Sequence, residues 1–240
     1  MNKEQITHII PAVFAVDYND FVDQLDSIYD IVSRVQIDVV DGSFATKKTW
    51  PFDGDAGQEF PKIVRQEQGL PHWEEVEFEV DIMSQNTAFV VDQWIAAGAS
   101  RVIVHKRNVT DSESLLKIAE AVREKGVEFM VAFEPKETLE LIKDFAGLVI
   151  DGGFLDGIQV MGIDKVGFQN QDFNPKALQL IASIRKEWPD MPLSVDGGVS
   201  FDNARALIDA GATRLVSGSA IMHSEMPRDA IERFEEICQD

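Results

Sequence analysis

Ala97-Gly98-Ala99-Ser100-Arg101-Val102 recurs almost residue for residue as Ala210-Gly211-Ala212-Thr213-Arg214-Leu215. Each stretch reads as a helix end, a glycine in the left-handed position that closes it, and the start of a strand. Gly126 marks a third junction of this kind. Outward from these junctions, short apolar runs alternate with helix-period segments over the whole chain. The runs cover residues 9–15, 35–40, 76–83, 101–105, 128–133, 157–161, 193–196 and 214–217. Most are continuously apolar, as strands covered on both faces of a parallel sheet should be. Helical patterns lie between them, such as Leu115, Leu116, Ile118, Ala119 and Val122, or Ala230, Ile231, Phe234 and Ile237. The first of these opens with Thr110-Asp111-Ser112-Glu113, which reads as a capping box. Eight such units in 240 residues, close to the ~250 typical of the architecture, predict an α/β protein with one closed (β/α)8 TIM barrel. No Pro/Ser-rich linker or shift of composition divides the chain, so residues 1–240 are expected to form a single domain.

Charge narrows the range of partners. Forty-two acidic residues against 22 basic ones give a net charge of −20. Nucleic-acid binding depends on clustered Lys and Arg, and anionic membranes attract basic surfaces, so neither partner is expected. No apolar run approaches the ~18 residues of a membrane span, and the first ten residues lack the basic-then-apolar layout of a signal peptide. The single cysteine, Cys238, excludes an intrachain disulfide and reads as a packing residue of the last helix. A cytoplasmic location is the expectation. The number of subunits stays open, a homo-oligomer included.

Barrels of this kind place their chemistry at the C-terminal ends of the strands. The irregular stretches 46–59 and 163–174 would be loops on that face. Strand two ends in Gln36-Ile37-Asp38-Val39-Val40-Asp41-Gly42. Asp38 sits inside an apolar run, where a lone carboxylate is costly unless it is paired or bound to a cation. Asp41 precedes a turn glycine and is read first as structural. Glu79 and Asp81, two apart on strand three, share a face. His105 ends strand four and would point into the mouth, as a substrate contact or as a satisfied structural histidine. His72 and His223 show no ligand spacing. Strands seven and eight run into Asp196-Gly197-Gly198 and Gly218-Ser219-Ala220. Glycines there let backbone amides approach an anion, which makes the pair of loops a candidate phosphate site.

These residues carry a resemblance. The chain resembles the ribulose-phosphate 3-epimerase family of phosphate-binding barrels. The likeness runs from Ile10-Pro11 through Asp38-Val39-Val40-Asp41-Gly42-Ser43-Phe44 and Val195-Asp196-Gly197-Gly198-Val199 to Ala210-Gly211-Ala212 and Ser217-Gly218-Ser219-Ala220-Ile221. It implies a ribulose-phosphate-binding barrel that epimerises a ketose phosphate at C3. In the family the two motif aspartates are the acid/base pair, and they fall on Asp38 and Asp196. A divalent metal between them stabilises the enediolate. The family's metal-binding histidines on strands two and three fall on Gln36 and Asp81, its first-strand serine on Ala12, and its Gly-Phe-Gly-Gly-Gln loop on Gly167-Phe168-Gln169-Asn170-Gln171.

The expected metal set is therefore Gln36, Asp38, Asp81 and Asp196. All its donors are oxygens, which favours Mg2+ or Mn2+ over Zn2+. Gly197, Gly198, Gly218, Ser219, Met83 and His105 are the expected phosphate and substrate contacts, and the partner is a small phosphorylated sugar. A relative that binds such a ligand without turning it over, having lost the metal with the histidines, is the alternative. The related barrel decarboxylases and hexulose-phosphate synthases carry Asp-x-Lys-x-x-Asp on strand three, and Glu79-Val80-Asp81-Ile82-Met83-Ser84 has no lysine.

Overall fold

A computed structural model of the chain describes residues 7–43, 45, 47–52, 59–168 and 171–239. Phe44, Gln169 and Asn170 of the motifs, and residues 46 and 53–58 of the loop after strand two, lie outside the described residues. The strands are β1 (His8–Val13), β2 (Arg34–Val40), β3 (Glu77–Met83), β4 (Arg101–His105), β5 (Glu128–Phe133), β6 (Gly157–Met161), β7 (Leu193–Asp196) and β8 (Arg214–Ser217). They close in sequence order into an all-parallel barrel, with β8 back against β1. The helices are α1 (Tyr18–Asp26), α2 (Glu59–Val64), α3 (Thr87–Ala96), α4 (Ser112–Glu124), α5 (Leu139–Asp151), α6 (Lys176–Glu187), α7 (Ala204–Ala210), α8 (Ser219–Met222) and α9 (Pro227–Gln239). Among the described residues, no helix is long and apolar enough to cross a membrane.

Five strands occupy the ranges that the apolar runs predict, and β2 and β3 shift by one residue at their starts. The first strand differs most, beginning at His8 and ending at Val13. Its ladder with β8 sets that start, since the His8 N–H already bonds Thr213 O at 3.0 Å. Gly98, Gly126 and Gly211 take φ values of +102°, +73° and +113°, the left-handed conformation expected at the helix-to-strand junctions. The capping residue of α4 is Asp111 rather than Thr110. Its Oδ1 accepts from the Ser114 N–H at 2.8 Å, while the Thr110 hydroxyl bonds Asp111 instead of the backbone. A carboxylate one residue nearer the helix reaches the free donor first.

Side chains alternate across each strand, so the barrel has two kinds of core. Val35, Ile37, Val39, Val80, Val102, Val104 and Val131 face outward and pack with helix residues such as Phe21, Trp94, Leu115 and Ile142. The interior is thinner in apolar groups, with Ile103, Met130, Ala132, Met83 and Met161 in one patch and Ile10, Ala12 and Val216 in another. Polar groups fill the rest. At the strand starts, Glu79 is fully buried and its Oε2 takes Arg101 Nη1 at 2.8 Å and also Arg214 Nη2. Arg34 joins the group, 3.9 Å from Glu79 and 3.2 Å from Glu128, and it also bonds Glu77. Three arginines and three glutamates thereby close the N-terminal end with their charges matched.

Removing Glu79 would take the paired carboxylate from the buried Arg214 guanidinium, while Arg101 and Arg34 keep Glu128. Glu79→Ala is expected to lower unfolding stability by about 3–5 kcal/mol, because breaking a buried pair exposes its partner's desolvation cost. Glu67→Ala, which removes a solvent-exposed pair with Arg65, should leave the melt close to that of the wild type. Urea melts of the two variants check this, and equal small losses would contradict the structural role assigned to Glu79.

Candidate active site and metal centre

The other end of the barrel is built differently. Asp38 on β2 lies opposite Asp81 on β3 in the parallel register, and Asp196 ends β7. One carboxylate oxygen from each of the three lies within 4.8 Å of the others. Asp81 and Asp196 are buried, and Asp38 is half-buried. The strand positions are pinned by neighbours: Thr49, also buried, donates to Asp38 O at 2.7 Å and accepts from the Val40 N–H at 2.9 Å. The fold brings Asp38, Asp81, Asp196 and Gln36 together.

Two amides and an imidazole surround the carboxylates. Gln36 Nε2 donates to Asp38 Oδ1 at 2.8 Å and to Asp196 Oδ2 at 3.1 Å. Sequence reasoning looked to the amide oxygen of Gln36 as a donor to a metal. In this structure the N–H side faces the carboxylates, as their negative charge requires, and Oε1 is buried without a partner. His105 Nε2 lies 2.6 Å from Asp81 Oδ1, and Gln159 Nε2 donates to Asp81 Oδ2 at 3.1 Å. His105 is 1% exposed and lies behind Asp81, outside the lining of the cavity described next.

Charge crowding shifts the titration of the group. Burial, then the nearby Asp196 and Asp81, push the Asp38 carboxyl well above its usual range. Burial and Asp81 raise Asp196 to about 7, against the hydrogen bond from Gln36. Burial disfavours a charged His105, but Asp81, with Asp196 and Glu134 beyond it, outweighs that and raises its pKa. Asp38 and Asp196 thus both hold protons above the usual carboxylate range, in a cluster whose members titrate together. Asp41 behaves otherwise. Burial is opposed by hydrogen bonds from Ser43 and Ser84, and its pKa falls. That is the structural role its place before Gly42 suggested.

Above the carboxylates opens a small cleft of about 70 Å³. Asp38 and Asp196 line it, as do Gly197, Gly198, Gly218, Ser219 and Met83. Gly197 and Gly198 have φ of +95° and +69°, and a Cβ would meet Ile163 at 2.7 Å in the first and the Phe173 backbone at 3.0 Å in the second. Only glycine fits either position. Asn203 pins the loop by donating to Gly198 O while accepting from the Ser200 N–H. Ala12, Phe14, Met161, Ile163, Val166, Phe168 and Gln171 complete much of the wall. Most of these were not singled out in the sequence, because an apolar loop residue gives no sign of facing a cleft. Gln159 did give a sign, as a polar residue within an apolar strand, the same signal that marked Asp38. Elsewhere, His72 stacks on Tyr29 and bonds Asp26, and burial pushes the Cys238 thiol up to about 11, in keeping with a packing role.

A cation would fit this centre on its own chemistry: three crowded carboxylates, all-oxygen donors, and a buried amide oxygen with no partner.

Comparison with known proteins gives the same lineage across the chain. A ribulose-phosphate 3-epimerase from Schizosaccharomyces pombe is 28% identical over 224 residues, covering 93% of this chain and 90% of that protein. One from Chlamydia muridarum is 28% identical over 242 residues, covering 98% and 95%. Among solved structures, a ligand complex of KGPDC from Streptococcus mutans superposes with a TM-score of 0.72 at 12% identity, covering 98% of each chain. The 3-hexulose-6-phosphate synthase from Salmonella typhimurium gives 0.69 at 19% identity, covering 97% of this chain and 99% of that one. These two likenesses bear on the fold. The model of the ribulose-phosphate 3 epimerase family matches residues 8–222, and the chain belongs to that family.

Proposed function

We propose that the protein epimerises a ketose phosphate at C3, with ribulose 5-phosphate as the first substrate to test. The observation that carries this reading is the pair Asp38 and Asp196. They stand on β2 and β7 at the floor of the same cleft, and burial and the crowding of neighbouring carboxylates raise both carboxyl groups, Asp196 to about 7. Such a pair has one member able to take a proton and one able to give it at neutral pH. In the proposed reaction one carboxylate removes the C3 proton of the bound ketose. The C3–H electrons pass into the enediolate formed across C2 and C3. The other carboxyl group then delivers a proton to the opposite face of C3, which inverts that carbon and exchanges the roles of the two aspartates.

The remaining parts serve that exchange. Gln36 donates to both carboxylates and keeps them oriented. The glycine loops after β7 and β8 hold the phosphate through backbone N–H groups, and Met83 with Phe14 and Phe168 limits water at the reacting carbon. Asp38, Asp81, Asp196 and Gln36 would hold a divalent cation, Mg2+ or Mn2+ before Zn2+, whose charge would stabilise the oxygens that become negative. His105 serves by fixing Asp81.

Turnover should depend on both carboxylates and on the cation. Asp38→Asn and Asp196→Asn should each lower kcat/KM for ribulose 5-phosphate by about 10²–10⁴, the range for a lost acid or base. Chelation should also lower activity, with Mg2+ or Mn2+ restoring it more fully than Zn2+. Following both sugars by NMR checks this; wild-type-like turnover in either variant contradicts the assignment.

Stability should depend on pH. In metal-free protein Asp196 keeps its proton to about pH 7, against an ordinary value of 3.8. The folded state therefore binds more protons over that window, and stability present at low pH is lost as pH rises through 7. Relative to Asp196→Asn, the wild type in chelator should lose on the order of a few kcal/mol between about pH 4 and 8. Urea melts across that range measure it, and a pH-independent difference would overturn the raised Asp196 carboxyl.

A further inference from the structure

Gln159 is fully buried on β6, across the barrel from Gln36 on β2. The two amides approach the carboxylate cluster in the same way. Each turns Nε2 toward it, Gln36 to Asp38 and Asp196, Gln159 to Asp81 Oδ2 at 3.1 Å. Each leaves Oε1 buried with no partner. A desolvated carbonyl oxygen without a donor is costly to keep, and two of them on amides that face one cluster share one cause. The carboxylates demand N–H groups while they are uncompensated.

Resting on the reading of this cluster as a metal centre, we propose that Gln159 is a further ligand residue of that centre, presenting Oε1 to a divalent cation after a half-turn of its amide. Oxygen and nitrogen exchange places in such a turn with almost no change of shape, and the terminal torsion of glutamine is soft. A cation repels the N–H side and attracts the carbonyl dipole, so the amide follows the charge of the site. Asp81 does not lose its support when Gln159 turns, because His105 Nε2 holds its other oxygen at 2.6 Å. The contact given up besides Asp81 is weak, Nε2 to Met161 Sδ at 3.8 Å. The ligand set then comprises three carboxylates and two amide oxygens, drawn from four of the eight strands. A neutral fourth and fifth donor let the empty and loaded centres both stay folded, which two further carboxylates would not.

The test uses full-length protein with 13C in its glutamine side chains, loaded with Mn2+ and studied by electron–nuclear double resonance. Two glutamine Cδ atoms should couple to the ion in the wild type, one signal vanishing in Gln159→Met and the other in Gln36→Met. Mn2+ should also bind Gln159→Met roughly tenfold or more weakly than wild type. No coupled Cδ in the wild type, or a single one that persists in Gln159→Met, overturns the proposal; if Gln159→Met fails to fold, Gln159→Asn serves for the assignment. Mn2+ bound with no Gln159 coupling leaves the metal centre standing without this ligand. No Mn2+ binding by the wild type removes both.

Discussion

Three carboxylates held within 4.8 Å of one another at the end of a closed barrel are the constraint around which the rest is arranged. Left alone in that setting they would repel one another and the fold. The structure meets the problem with donors rather than with distance. Gln36 reaches Asp38 and Asp196, Gln159 and His105 reach Asp81, and the Asp196 carboxyl is raised to about 7. Each of these responses is also a chemical capability. A retained proton near neutrality is what an acid/base exchange needs, and amides facing carboxylates are groups that can turn to a cation.

The opposite end of the same barrel is the instructive contrast. Glu79 is as deeply buried as Asp81 and stands two residues before it on the same strand. It meets Arg101 and Arg214, with Arg34 close by, and the local charges cancel. Its surroundings therefore supply the opposite charge at contact distance. Burial alone does not make a site. A site arises where buried charge is left partly uncompensated beside a cleft, as at Asp38 and Asp196.

Much of this was legible in the residues. Parallel strands covered on both faces need continuous apolar runs, so five strand ranges and the closing glycines could be read directly. The start of β1 could not, because its ladder with β8 sets it. Asp38 and Asp196 stood out as carboxylates at the ends of apolar strands, and Gly197-Gly198 as glycines that let backbone amides approach an anion. What escaped was whatever depends on partners distant in the chain. His105 looks toward the cleft by its position in β4, yet Asp81 claims it from the neighbouring strand. Gln36 reads as an oxygen donor until its actual neighbours are seen. Gln159, in an otherwise apolar strand, showed the same anomaly as Asp38, and only the fold reveals that it points at the same cluster.

The central claim is that Asp38 and Asp196 act as two bases on one carbon, one taking a proton and the other giving one. The most direct measurement is the fate of deuterium when ribulose 5-phosphate turns over in D2O at low conversion. Two aspartates with separate protons predict that the C3 epimer carries solvent deuterium at C3 from the first turnover, while recovered substrate carries little. Product that retains the original C3 hydrogen would mean that a single group moves the proton, and would contradict the account.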